Sequence, residues 1–113
     1  ELLGVDPKND LEGVLQDVHW SGGAFGYFPS YTVGNLISAQ LWERMREDVS
    51  DLDSQIESGR YDAILGWLRR EVHAKGRRFD TVELVRRVKG DDLSELPLVR
   101  YLKEKYGAWY GID

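Results

Sequence analysis

The stretch that decides the fold is SYTVGNLISAQLWERMREDV, residues 30–49. Its apolar residues recur three or four positions apart, and this spacing places side chains on one face of an α-helix. Ser30 carries a hydroxyl suited to a helix N-cap. Gly34 weakens the first turns relative to alanine, so a glycine there favours close packing over local helix stability. The stretch predicts one long helix, whose apolar positions are Val33, Leu36, Ile37, Leu41, Met45 and Val49.

Two shorter helical patterns follow the long one. Residues 51–58 form the first and are closed by Gly59. The second begins at Tyr61, carries apolar residues on one side, and has Gly76 as its predicted C-cap. Short polar links separate these patterns, which is typical of a helical domain.

The last two helical patterns complete the chain. Asp80 precedes Glu83 by three positions, which is the spacing of a capping box at a helix N-terminus, and Gly90 ends that helix. The final helix is predicted over residues 96–106 and stops at Gly107. Five helices without an internal repeat predict an all-α fold.

Composition excludes several classes of protein. The net charge is −5, and basic residues are interleaved with acidic ones, which argues against a nucleic-acid-binding surface. The chain has no cysteine, so disulfides and thiolate zinc sites are excluded. No apolar run approaches the roughly 20 residues that span a bilayer. We expect a cytoplasmic protein and, because initiator Met and signal peptide are both missing, a chain that begins partway through a longer one.

The segment before the long helix concentrates polar and aromatic groups. Its mixed pattern over residues 14–20 predicts a strand or an extended turn, followed by a glycine-rich loop that reaches Pro29. In an extended segment Asp17 and His19 share a face. A carboxylate beside an imidazole fixes its tautomer and raises its pKa. His19 is then either a donor to a substrate or a structural histidine bound to backbone.

Two tyrosines flank the predicted start of the long helix. Tyr27 and Tyr31 lie four positions apart, and a phenol can donate one hydrogen bond to the oxyanion of a tetrahedral intermediate. The positive end of the helix dipole lies in the same place. The alternative is that both are packing tyrosines whose hydroxyls are satisfied within the protein.

The chain lacks a complete catalytic constellation of its own. A catalytic zinc site needs about three protein ligands, whereas His19 and His73 are the two histidines of the sequence and their spacing matches no metal motif. No nucleophile elbow or phosphate-binding loop is present either. The sequence therefore predicts no metal ligand within this chain.

Residues 13–20, GVLQDVHW, followed by SGGAFGYFPSYTVGNL, resemble the carboxypeptidase Taq family of metallopeptidases. That family carries a G-x-x-Q-D-x-H-W signature. Later stretches, GWLRREVHAKGRRF at residues 66–79 and VRYLKEKYG at residues 99–107, are similar to the C-terminal end of the family. The resemblance extends over essentially the whole chain.

The resemblance implies the C-terminal fragment of a larger, mainly helical, zincin-like enzyme that removes C-terminal residues from peptides. Zinc, or another divalent metal, would be held by an HExxH motif and a downstream Glu, all N-terminal to Glu1. Residues 1–113 would form a single region, with a cleft-lining loop segment over 1–29 and helices over 30–113. The implied catalytic residues are His19, Tyr27 and Tyr31, and the implied substrate-binding residues are Gln16, Asp17 and Trp20.

Three hypotheses for the chain differ in their predicted surfaces. A fragment of the carboxypeptidase would expose an apolar or aromatic face that the missing N-terminal portion covers, and its partners would be that portion, the peptide substrate and, in isolation, a second copy as a homodimer. A non-catalytic helical interaction module would have a sealed surface. A complementing subunit would restore activity to a separate zinc-bearing chain.

Overall fold

The fold is helical throughout the described residues, 4–111 of this computed structural model, which contain no strand. The all-α prediction is confirmed. The chain divides into two compact units, Glu1–Thr32 and Val33–Asp113, and the assignment of residues 1–113 to a single region stays a prediction. The α-helices are α1 Val18–Ser21, α2 Pro29–Asp48, α3 Leu52–Glu57, α4 Asp62–Glu71, α5 Thr81–Lys89 and α6 Leu96–Tyr110, with 3₁₀ turns at Val14–Gln16 and His73–Lys75.

The core of the second unit forms around Trp67 of α4. Its side chain is 1% exposed and packs with Met45, Leu52 and Val88. The indole Nε1 donates a hydrogen bond to Asp48 Oδ2 at 2.8 Å, so the polar tip of this large ring has a partner despite its burial. Helices α2, α3, α4 and α5 are thereby joined through one apolar cluster.

A buried amide holds the connection between α5 and α6. Gln40 is 1% exposed; its Nε2 donates to the Asp92 carbonyl at 2.9 Å, and its Oε1 accepts from the Ser94 backbone N–H at 3.1 Å. A buried amide costs stability unless both of its ends are bonded. Gln40 therefore fixes where α6 begins relative to α2.

Local capping signals were predicted with mixed success. The Asp80 cap is confirmed, because its Oδ1 accepts the Glu83 backbone N–H at 2.8 Å and Gly90 ends α5 in the left-handed region. The Ser30 cap is wrong. Helix α2 begins one residue earlier, at Pro29, and the Ser30 hydroxyl instead donates to the Tyr27 carbonyl at 2.5 Å.

Two predicted helix ends are also wrong. Helix α4 ends at Glu71, and a 3₁₀ turn carries the chain on to Gly76, whose φ is 54°. Helix α6 continues through Gly107, which is buried within it, and ends at Gly111. A glycine inside a helix costs about 1 kcal/mol relative to alanine, and tertiary packing can offset a cost of that size.

No helix within residues 4–111 is both long enough and apolar enough to cross a membrane. The longest, α2, carries several charged residues along its length.

Candidate active-site wall

The strand or extended turn predicted over residues 14–20 is wrong, and a helix cap takes its place. Asp17 is the N-cap of α1: its Oδ1 accepts the His19 backbone N–H at 2.8 Å. The same oxygen lies 2.7 Å from His19 Nδ1. Asp17 and His19 therefore meet as their spacing predicted, but through capping geometry instead of a shared strand face.

A glycine-rich turn then folds the chain back over His19. The Ala24 backbone N–H donates to the His19 carbonyl at 2.8 Å. Gly23 and Gly26 have φ values of 74° and 75°, in the left-handed region where a side chain would be strained. These turns return the chain to the first turn of α2, which carries Tyr31.

Three aromatic rings surround the imidazole of His19. Tyr27 stacks on it with ring centroids 5.6 Å apart and planes 21° from parallel. The Phe28 ring centroid lies 5.0 Å away, and the Tyr31 hydroxyl lies 3.2 Å from Nε2. Tyr27 and Tyr31 also contact each other edge to face at 5.3 Å, so the rings hold one another in place.

The ionisation of Asp17 determines which atoms donate in the hydrogen-bonded series Asp17–His19–Tyr31. Its pKa is lowered, first by the backbone hydrogen bond from His19 and then by the hydrogen bond to the imidazole. An ionised Asp17 accepts hydrogen bonds and cannot donate, so His19 Nδ1 carries the proton between them. In the neutral imidazole, Nε2 is then the acceptor and the Tyr31 hydroxyl donates to it.

Tyr31 keeps its proton at neutral pH. Desolvation raises the pKa of its phenol, and the neighbouring Tyr27 raises it further. Tyr31 is about half exposed, at 52%. Its hydroxyl is thus neutral and within reach of a molecule outside the unit, and its one proton is donated to His19 Nε2 in this structure.

The backbone amides at the start of α2 are already bonded. Pro29 has no N–H, the Ser30 N–H donates to the Tyr27 carbonyl, and the Tyr31 N–H donates to the Phe28 carbonyl, both at 3.0 Å. These amides are therefore not available to a ligand. Many helix N-termini bind anions through free backbone N–H groups, and α2 does not do so with the N–H groups of Ser30 and Tyr31. Side-chain donors at this end of α2 include the hydroxyls of Tyr27 and Tyr31.

Gln16 and Trp20 lie beside this cluster with partners of their own. Gln16 Nε2 donates to the Leu11 carbonyl at 2.5 Å, which ties the 3₁₀ turn to the preceding loop. The Trp20 ring meets Phe25 edge to face at 5.2 Å, and both rings are well exposed. The structure thus brings Asp17, Tyr27 and Tyr31 to His19 and gives Gln16 and Trp20 separate local contacts.

Phe28 is the residue that sequence reasoning missed. Its ring centroid is nearer to the imidazole than that of either tyrosine. A signal was present, because Phe28 directly follows Tyr27 and precedes the proline that starts the helix.

The side chains present do not fit a metal centre. Within residues 4–111, no three His, Asp or Glu side chains come close enough together to hold an ion. The two ring nitrogens of His19 already face Asp17 and Tyr31. The side chains around His19 can offer a substrate hydrogen bonds and aromatic contacts.

Comparison with known proteins identifies the family. The profile of the family described as Carboxypeptidase Taq (M32) metallopeptidase matches residues 1–106. This chain belongs to the M32 carboxypeptidase family. It is 46% identical over 109 residues to Thermostable carboxypeptidase 1 of Thermus thermophilus, and 42% identical over 110 residues to Carboxypeptidase 1 of Bacillus subtilis.

The M32 relatives are much longer than this chain. The matches include 96% and 97% of the chain but 21% and 22% of the two relatives, at their C-terminal end. The crystal structure of BsuCP superposes on 94% of the chain and 21% of that protein, with a TM-score of 0.81 and 42% identity. A second structure, of CHT, gives a TM-score of 0.77 over 89% of the chain and 20% of that protein, again at 42% identity. The chain spans about a fifth of the length of the relatives it matches.

Proposed function

We propose that this M32 chain acts as the C-terminal part of a metal-dependent carboxypeptidase that hydrolyses C-terminal residues from peptides. It supplies substrate and transition-state contacts and no metal ligand. The observation that carries the proposal is the series Asp17–His19–Tyr31, whose two links measure 2.7 and 3.2 Å. Tyr27 stacks on its central ring.

Tyr31 and Tyr27 provide the donors that a developing oxyanion needs. Hydrolysis of a peptide passes through a tetrahedral intermediate whose oxygen becomes negative, and donors already aimed at it lower the barrier. Both phenols are about half exposed, and the backbone N–H groups of Ser30 and Tyr31 are bonded to the Tyr27 and Phe28 carbonyls. The tyrosines are therefore the catalytic donors at this end of α2.

His19 links the donors to a fixed negative charge. When an oxyanion develops on the substrate, the Tyr31 hydroxyl turns its one proton from His19 Nε2 to the substrate oxygen. Asp17 accepts from His19 Nδ1 and so fixes the orientation and tautomer of the ring. His19 is catalytic in this proposal, and Asp17 orients it and contributes to the substrate-binding surface.

Gln16 and Trp20 complete the substrate-binding surface. The half-exposed Trp20 ring and its neighbour Phe25 offer an apolar face to a substrate side chain. Gln16 ties the 3₁₀ turn before α1 to the preceding loop through its bond to the Leu11 carbonyl.

The metal of the enzyme, zinc or another divalent ion, is held outside this chain in the proposal. It supplies Lewis-acid chemistry when bound, and the isolated chain is inactive. A cytoplasmic enzyme fits a chain without cysteine.

Exposed apolar surface favours an incomplete enzyme over a sealed interaction module. Val18 is 73% exposed, Phe25 71% and Trp109 81%. Soluble monomers rarely leave large apolar patches uncovered. Each unit therefore has exposed apolar side chains, which supports a larger protein that covers them.

The experiment uses a hybrid enzyme in which this chain replaces the matched C-terminal segment of Bacillus subtilis Carboxypeptidase 1. Tyr31→Phe should lower kcat roughly 10²- to 10³-fold, because it removes one transition-state donor, with little change in KM. Release of the C-terminal amino acid from a peptide measures both constants. The matched control is Tyr61→Phe, at an equally exposed tyrosine before α4. Full kcat in the Tyr31→Phe hybrid would contradict the proposal.

A further inference from the structure

An apolar groove runs between α2 and α6 in the second unit. It has a volume of about 570 Å³. We name it the α2–α6 groove and define it by Asn35, Ala39, Trp42, Leu98, Tyr101 and Leu102. We propose that this groove binds an amphipathic helix from the N-terminal four fifths of the M32 enzyme, a proposal that rests on the chain acting as part of that larger protein.

The spacing of the lining residues suits a helical occupant. Asn35, Ala39 and Trp42 lie at positions i, i+4 and i+7 of α2, and Leu98, Tyr101 and Leu102 lie at i, i+3 and i+4 of α6. Each helix therefore presents one stripe to the groove. Two such stripes with a furrow between them form the surface into which the ridge of a third helix packs.

The groove floor selects an apolar partner surface. Ala39 is buried and small, so a helix can approach closely there, while Tyr101 and Leu102 are 40% and 42% exposed. A helix that covers these side chains removes their apolar surface from water, which stabilises the bound state. The occupant therefore carries aliphatic or aromatic side chains at positions i, i+3 or i+4, and i+7.

A neighbouring pocket, which shares Ala39, Trp42 and Tyr101 with the groove, carries the charged groups nearest to the occupant. Arg100 and Glu43 are bonded to each other through two contacts of 2.9 and 3.0 Å. Lys105, which lines that neighbouring pocket beside Glu104, donates to the Tyr101 hydroxyl at 2.9 Å. The partner of Lys105 there is a neutral phenol. A carboxylate on the incoming helix would therefore form a stronger, charge-assisted hydrogen bond with Lys105.

The lengths of the M32 relatives favour an occupant from the same enzyme. About four fifths of each relative lies outside the region that this chain matches. All the groove residues fall within residues 1–106, the part that the family profile matches. The covering segment is therefore expected in the enzyme itself, and neither a second copy nor a separate protein is required.

Oxidative footprinting of tyrosines tests the groove without any substitution. In the hybrid enzyme, the rate of hydroxyl-radical labelling of Tyr101 should fall several-fold relative to the isolated chain, because an interface core excludes water. Tyr61, 50% exposed and outside the groove, is the internal control and should keep its rate. Equal labelling of Tyr101 in the two proteins overturns the proposal.

A matched pair of leucine variants provides the second arm. Leu102 in the groove and Leu65 on α4 are 42% and 41% exposed. Leu102→Glu should lower the melting temperature of the hybrid enzyme more than that of the isolated chain, whereas Leu65→Glu should affect both equally. If the glutamate variant does not fold in the hybrid, Leu102→Ala and Leu65→Ala repeat the comparison. Equal effects of the two leucine positions would overturn the proposal.

The outcomes separate the groove from the catalytic proposal. If Tyr101 is protected in the hybrid and Tyr31→Phe leaves kcat unchanged, the groove proposal is supported and the catalytic role of Tyr31 is contradicted. If Tyr101 is unprotected and Tyr31→Phe lowers kcat, the catalytic role is supported and the groove proposal is contradicted. If the isolated chain protects Tyr101 as its concentration rises, and sedimentation shows a dimer, a second copy occupies the groove and the proposal fails.

Discussion

At the scale of single residues, the cap and the candidate site are the same structure. Asp17 accepts the His19 backbone N–H to start α1, and the same oxygen faces the imidazole. Asp17 and His19 were predicted to meet on one face of an extended segment, and they meet through a helix cap instead. The ring contacts of Phe28 were not predictable in this way, since they depend on how two glycine turns return the chain.

The ionisation of Asp17 gives a prediction at this scale. Its lowered pKa means that the folded chain gains stability from this carboxylate above the ordinary Asp value of about 3.9 and loses it as the pH falls through the lowered value. Carbon-13 NMR of the isolated chain should show the carboxyl of Asp17 titrating below its ordinary range. His19→Ala should raise that midpoint partway, because the backbone bond remains. An ordinary midpoint in the unsubstituted chain would show that the contact is absent in solution.

At the scale of elements, signals from single residues were reliable at both ends of α5 but not at the start of α2, where the Ser30 cap is wrong. The Asp80 cap and the Gly90 end of α5 follow from bonds within one turn. The end of α6 was misplaced because Gly107 is a helix breaker by propensity and is nevertheless buried inside the helix. The Gln40 clamp joins positions more than 50 residues apart. Its polar side chain between Ala39 and Leu41 was a visible signal, but its partners were not.

Gly34 gives the prediction at this scale. The sequence favoured a packing role, yet among the described residues beyond its own helix no heavy atom lies within 4 Å of the position that a Cβ would occupy. Gly34→Ala should therefore raise the free energy of unfolding of the isolated chain by about 0.5 to 1 kcal/mol. Urea denaturation measures it. Gly90→Ala is the opposite control, because φ is 93° there and the substitution should destabilise. A loss of stability in Gly34→Ala would show that the site is crowded.

At the scale of the whole molecule, sequence sufficed for the all-α class and the M32 family but not for the surfaces. The prediction that an enzyme fragment exposes apolar side chains depends on which helix faces remain uncovered, and periodicity alone does not distinguish a face that packs within the chain from one that packs on another segment. The groove beside Trp42 and Tyr101 became visible from the pairing of α2 with α6. The catalytic role of His19 and Tyr31 likewise depends on atoms that belong to the larger enzyme.

The most direct test of the central claim is a double-mutant cycle on kcat in the hybrid enzyme. The variants are His19→Gln, Tyr31→Phe and the pair together, with Tyr61→Phe as the control. Because the two side chains act through one hydrogen-bonded series, the double variant should have a kcat within about tenfold of the slower single variant. The claim that His19 and Tyr31 act together in catalysis would be contradicted by either of two results. In the first, the fold-losses in kcat of the two single variants multiply in the double variant; in the second, the single variants keep the kcat of the unsubstituted hybrid.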